Sequence, residues 1–289
     1  MKEQDCLRRF LFEELGVRGE WVCLHDSWQE TKQHQHLSAG VQEKLGEALV
    51  AVVLMSATIK YEGSLILQAQ GDGALKTLVT QSTHEGHIRG LARCEKEMQS
   101  GSLVEMMGEG RLVITIEPEK GEPYQGIVSL GGNDLAEVIT TYFTQSEQLQ
   151  TRVWLFADGT HAGGLFLQEL PKQESDKPDW ERIAMLADTI TKQEMLTLGC
   201  EEMLYRLFNE EKLRLFQQEP VTFKCTCSQK KIEDTLILLG RQELESSLQE
   251  RNIIDVKCDF CAEKYSFDKV DIENLFAGQA HKNESSRQH

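Results

Sequence analysis

Through residues 1–170, runs of strand-forming residues at 64–70, 111–117, 125–129 and 152–156 alternate with stretches of helical pattern. Glycine-bearing turns stand beside these runs: Gly71-Asp72-Gly73, Gly131-Gly132-Asn133-Asp134 and Ala157-Asp158-Gly159. Such turns favour hairpins, and hence an antiparallel or mixed sheet, over repeated strand-helix-strand units. The expectation is an α+β domain over 1–170. Its most apolar stretch, 48–55, is much shorter than the roughly 20 residues of a bilayer span and reads as a buried helix or strand.

The pattern changes at 171. Pro171, Pro178 and Pro220, three of five prolines, bracket a segment, 171–220, with neither strand patterning nor much glycine. It is predicted to be a helical connector. After Asp179 as a cap, Trp180, Ile183, Ala187 and Ile190 recur at helical spacing, and Thr191 to Glu194 has capping-box form. Cys200, Met203, Leu204, Leu207 and Phe208 then form an apolar stripe among glutamates. Short helices of this kind are marginal alone in water, so the stripe needs a surface to dock on. Beyond Pro220, residues 221–289 read as a compact module of strand and helix pieces, with Ser228 and Gly240 bounding one helix.

Length and composition fit this division. A chain of 289 residues, 40% hydrophobic and 27% charged, is that of a globular protein with about two cores. The charged start, Met1-Lys2-Glu3-Gln4-Asp5, lacks the apolar core of a secretory signal, and no stretch is long enough to span a membrane, so a cytoplasmic location is expected. A net charge of −16 repels phosphate backbones and anionic lipid and argues against nucleic-acid and membrane partners. The module itself has no basic footprint, with ten Lys or Arg against twelve Asp or Glu over 221–289.

Four of the eight cysteines fall in one 37-residue window: Cys225-Thr226-Cys227, thirty intervening residues, then Cys258-Asp259-Phe260-Cys261. Two close pairs brought together by a short fold supply the four-sulfur tetrahedral cage that zinc prefers, with no position left open for water. One zinc ion per chain is therefore expected on Cys225, Cys227, Cys258 and Cys261. A closed site is usually structural, and a module of this size gains much of its folding energy from the metal. The same thiolates can also be oxidised, after which they hold zinc poorly, so the site has the chemistry of an oxidant sensor. Spacing leaves both roles open.

Phe223-Lys224-Cys225-Thr226-Cys227-Ser228, Val256-Lys257-Cys258-Asp259-Phe260-Cys261 and Tyr265-Ser266-Phe267-Asp268 closely resemble the tail of the 33-kDa heat-shock chaperonin family. Leu11-Phe12-Glu13, Val17-Arg18-Gly19-Glu20, Gln70-Gly71-Asp72-Gly73, Arg89-Gly90, Tyr124-Gln125-Gly126 and Ser146-Glu147-Gln148 look like its amino-terminal signatures. The resemblance implies an ATP-independent holdase, inactive while reduced and zinc-bound. It implies disulfides Cys225–Cys227 and Cys258–Cys261 on oxidation, loss of zinc, loss of structure in module and connector, and an active homodimer. Unfolded or oxidatively damaged proteins are the implied clients, and ATP-dependent foldase chaperones are possible onward partners. Within the connector, Trp180, Ile183, Ile190, Leu204, Leu207 and Phe208 are expected to become available to clients. One departure from the family pattern is Glu250-Arg251-Asn252, which lacks a glycine often found before the third cysteine, although Asn tolerates left-handed backbone.

Other signals are weaker. Gly71-Asp72-Gly73 with Lys76-Thr77 lacks the spacing of a phosphate loop and reads as a turn. His34, His36, His84 and His87 have no completing ligands in sequence and read as surface residues, and Cys6, Cys23, Cys94 and Cys200 read as small buried hydrophobes without a defined role. No nucleophile-base order stands out, so no enzyme is expected. The alternative to a regulated chaperone is a constitutive zinc-stabilised scaffold or protein-interaction module; a metal-dependent nucleic-acid binder ranks third.

Overall fold

The computed structural model describes residues 5–171 and 178–276, in two units that meet between Lys224 and Cys225. In the first unit, strands β1 (Cys6–Phe12) and β2 (Val17–Leu24) lead through α1 (Asp26–Gln33) to α2 (Ala39–Thr58), a helix of 20 residues. The apolar stretch at 48–55 is the middle of α2. Leu49, Val50, Ala51, Val52 and Leu54 are all fully buried, and a helix apolar on every side must be covered on every side.

Two sheets provide the cover. After α2 come β3 (Gly63–Gly71), β4 (Leu75–Thr83) and β5 (His87–Cys94), then α3 (Leu103–Met107), β6 (Gly110–Pro118) and β7 (Tyr124–Ser129). Next are α4 (Leu135–Tyr142), β8 (Thr151–Ala157) and β9 (Ala162–Glu169). The connector supplies α5 (Pro178–Ala187), α6 (Lys192–Thr197), α7 (Cys200–Phe208), β10 (Leu213–Leu215) and β11 (Glu219–Pro220), and β12 (Thr222–Phe223) closes the unit. One sheet runs β10-β1-β2-β9-β8, with β11 also on β1; the other runs β12-β5-β4-β3-β6-β7. Every pairing is antiparallel except β12 on β5. This is the α+β, mostly antiparallel architecture expected, and helix α2 packs against strands of both sheets.

The alternation along β1, β2 and β9 divides the first sheet between two cores, because successive strand residues face opposite ways. Leu7, Val22, Leu24 and Phe166 join the core around α2. Cys6, Phe10, Phe12, Trp21, Cys23, Leu165 and Leu167 face the other way and are covered by α5, α6 and α7. Gly19 is needed here, since a Cβ at that position would meet the Phe10 ring at 2.1 Å.

Several local expectations change. Gly71-Asp72-Gly73 and Ala157-Asp158-Gly159 do turn hairpins, but Gly131-Gly132-Asn133-Asp134 leads from β7 into α4, where the Asp134 carboxylate caps the helix by accepting from the Glu137 N–H at 2.8 Å. Helix α5 starts at Pro178, so Asp179 falls in its first turn rather than capping it. The Thr191–Glu194 capping box is present on α6. After Phe208 the connector is not helical: β10 and β11 extend along β1, strands too short to leave a pattern in sequence. Residues 172–177 of the connector lie outside the described residues.

The second unit contains α8 (Gln229–Leu239), α9 (Arg241–Arg251) and the hairpin β13 (Ile253–Lys257) with β14 (Lys264–Asp268), followed by helix at 269–276. Ser228 caps α8, its hydroxyl accepting from the Lys231 N–H, and Gly240 ends it. Asn252, at φ 62°, is the left-handed residue that ends α9, the conformation its missing glycine would have supplied. Among the described residues, the buried members of the unit's hydrophobic cluster are Leu236, Leu244, Leu248, Phe267 and Ile272.

Candidate metal centre

Two local structures present the four module cysteines. Cys225 and Cys227 lie on the segment entering the Ser228 cap of α8. Cys258 and Cys261 lie in the loop of the β13–β14 hairpin. That loop is tied back on itself: Cys258 N–H donates to the Glu263 carbonyl at 2.8 Å and Ala262 N–H to the Cys258 carbonyl at 2.9 Å, with Ala262 left-handed at φ 60°. The turn points both sulfurs the same way and aims the N–H groups of Phe260 and Cys261 at the Cys258 sulfur.

The sulfurs converge. All four Sγ atoms lie within 4.8 Å of one another. Cys225 Sγ is 3.7 Å from Cys258 Sγ, and Cys227 Sγ is 3.4 Å from Cys261 Sγ. A zinc–thiolate tetrahedron with bonds of about 2.3 Å has sulfur–sulfur edges of about 3.8 Å, so the cluster has the dimensions of a metal cage. All four residues carry thiols rather than disulfides. Burial, and then the neighbouring sulfurs, push the Cys258 and Cys261 thiols up against the pull of the backbone N–H groups. A dication reverses that balance by stabilising the thiolates, so the donor set fits a metal ion better than it fits four protonated thiols. Among the described residues this is the only such group of metal-binding side chains.

Tyr265 was not singled out in sequence as a member of the site. Its hydroxyl, on β14, donates to Cys227 Sγ at 3.2 Å, the place of an outer hydrogen bond to a candidate ligand atom. Only its place in the Tyr265-Ser266-Phe267-Asp268 stretch hinted at it.

The six connector residues gather elsewhere. Ile183, Ile190, Leu204, Leu207 and Phe208 are buried, and Trp180 is half-buried, all packed on the outer face of the first sheet. Phe208 meets Phe12 edge to face at 5.1 Å between ring centres. Cys6, Cys23 and Cys200 are buried in that same layer, as expected, whereas Cys94 is only partly buried. No helix among the described residues is long and apolar enough to cross a membrane.

A family model described as Hsp33 protein matches residues 5–268. The 33 kDa chaperonin of Nitrosococcus oceani is 55% identical over 289 residues, covering 100% of both chains. That of Methylobacillus flagellatus is 43% identical over 96% of each. In fold, the chain is similar to the crystal structure of the 33 kDa chaperonin (heat shock protein 33 homolog) of Thermotoga maritima, with a TM-score of 0.84 and 22% identity, over 96% of this chain and 99% of that one.

Proposed function

The chain belongs to the Hsp33 family, and from that premise we propose that it is a cytoplasmic, ATP-independent holdase chaperone switched by oxidation of a zinc site. The observation that carries this reading is the convergence of four thiols within 4.8 Å in a unit with a small core. Cys225, Cys227, Cys258 and Cys261 hold one zinc ion in the reduced, inactive protein. A peroxide-class oxidant takes two electrons from each of the pairs Cys225–Cys227 and Cys258–Cys261, one disulfide forms in each, and the peroxide leaves as water. The metal is released, and with it about 10–16 kcal/mol of folding free energy, a large share for a unit whose cluster has five buried apolar residues.

Loosening then runs back along the chain. Strands β12, β11 and β10 have two, two and three residues, the weakest attachments in their sheets. Their loss frees α7, then α6 and α5, and Trp180, Ile183, Ile190, Leu204, Leu207 and Phe208 turn from packing the sheet to binding unfolded or oxidatively damaged proteins. The active form is a homodimer that passes clients to ATP-dependent foldases.

One paired assay tests this. Zinc content and suppression of a model client's aggregation are measured on the reduced protein and after peroxide with mild heat. Zinc release together with a gain in suppression is expected; equal suppression in both states, with zinc retained, leaves a constitutive zinc-stabilised scaffold instead.

A further inference from the structure

We propose that Cys6 and Cys23 form a second redox site, a dithiol that closes to a disulfide across β1 and β2 once α5, α6 and α7 have left the outer face of the first sheet. The proposal rests on the proposed release of those helices, and the geometry for it is set by strand register. Cys6 and Cys23 are directly opposed in the antiparallel ladder. The Asp5 and Arg9 carbonyls accept from Val221 and Phe216, towards β11 and β10, so the backbone groups of even-numbered β1 residues turn towards β2. This makes Cys6 and Cys23 a hydrogen-bonded pair, whose Cα atoms stand about 5.5 Å apart. Disulfides span Cα separations of about 4.4–6.8 Å. Both side chains sit on the outer face, and Cys6 begins β1 while Cys23 is next to last in β2, so the ladder can adjust there at little cost.

The docked helices seal the pair. Cys6 and Cys23 are 2% and 6% exposed, and Cys200, the first residue of α7, is fully buried in the same layer. Gly163, opposite Cys23 on β9, lies so close under α6 that a Cβ there would meet the Met195 methyl at 3.2 Å. The sulfurs are therefore shielded from peroxide while the helices are down. With the helices up, one thiolate attacks the peroxide, giving a sulfenic acid and water; the second thiol displaces a second water as the S–S bond forms. Two electrons and two protons leave the dithiol, and both appear in water. Full oxidation then consumes six of the eight thiols rather than four.

The test uses the full, zinc-loaded chain. Wild type and Leu207→Ser, which loosens α7 without touching the zinc site, are exposed to hydrogen peroxide, quenched with an alkylating agent, digested and mapped by mass spectrometry. Hydrogen exchange of α7 is followed in parallel, so helix release is read independently of the zinc reading. The Cys6–Cys23 linked peptide should appear at least tenfold faster in Leu207→Ser than in wild type. Should that variant fail to fold, wild type heated until α7 exchanges serves the same purpose. Recovery of Cys6 and Cys23 as separate alkylated or over-oxidised residues with α7 open, or linkage of either to Cys200, overturns the proposal.

Discussion

Cys227 Sγ and Cys261 Sγ lie 3.4 Å apart although the residues are 34 positions apart in the chain, one at the mouth of α8 and the other in the β13–β14 loop. The four sulfurs, with the Tyr265 hydroxyl on Cys227 Sγ, are what bring the two cysteine segments together. Stripping the metal with a chelator under reducing conditions is therefore expected to melt the second unit and leave the first folded. Hydrogen exchange should show loss of protection in α8 and α9 with α2 unchanged, and metal analysis should give one zinc per chain beforehand.

The Tyr265 hydroxyl donates to Cys227 Sγ and, with a metal bound there, would orient that sulfur as a ligand. Tyr265→Phe removes the hydroxyl and keeps the ring. Outer hydrogen bonds of this sort are worth about 10–100-fold in metal affinity. The variant should bind zinc about tenfold more weakly in a chelator competition and release it faster on titration with peroxide; unchanged affinity and release would show the bond to be incidental.

Phe208 is 1% exposed and stacks edge to face on Phe12. Phe208→Ala should cost about 3–5 kcal/mol, most of it in the docking of α7. The reduced, zinc-loaded variant should therefore suppress client aggregation without oxidant, and its α7 amides should exchange faster. Open helices with no gain in suppression would remove the connector from the client surface.

Glu20 is buried on β2, and one of its carboxylate oxygens has no hydrogen-bond partner. Burial raises it from 4.5 to about 7, against the pull of Arg18 and Arg9. A raised carboxyl binds a proton in the folded state that the unfolded chain has given up, so stability is greatest below about pH 4.5 as far as this group is concerned and falls as pH rises to about 7. The loss is on the order of 3 kcal/mol, at about 1.4 kcal/mol per pH unit. Denaturant unfolding of the first unit should show that decline, and Glu20→Gln should flatten it.

The convergence of the four module cysteines was legible because their close spacing in pairs is a local property of sequence, and α2 was legible because an all-round apolar run can only be buried. Asn252 was legible for the same local reason, its tolerance of left-handed backbone. Other features depend on pairing. Strands Leu213–Leu215 and Glu219–Pro220 are stabilised by β1 rather than by their own pattern, and Gly131-Gly132 resembles a hairpin turn until the Asp134 cap is seen to start a helix. The opposition of Cys6 and Cys23 is likewise a matter of register, which sequence spacing does not encode. Tyr265 approaches Cys227 from 38 positions away, through the fold of the hairpin.

The first sheet serves two cores, with Leu7, Val22 and Phe166 turned to α2 and Phe10, Phe12, Trp21 and Leu165 turned outward. Lifting the outer helices thus leaves a folded platform, because the inner core continues to hold the strands. Should the helices be released as proposed, the protein would offer two kinds of adhesive at once. The freed helices are pliable and can mould to any client at an entropic penalty. The uncovered strands are a stiff plane of aromatic and aliphatic groups, ordered beforehand, on which a greasy segment can settle with most of the ordering cost falling on the client.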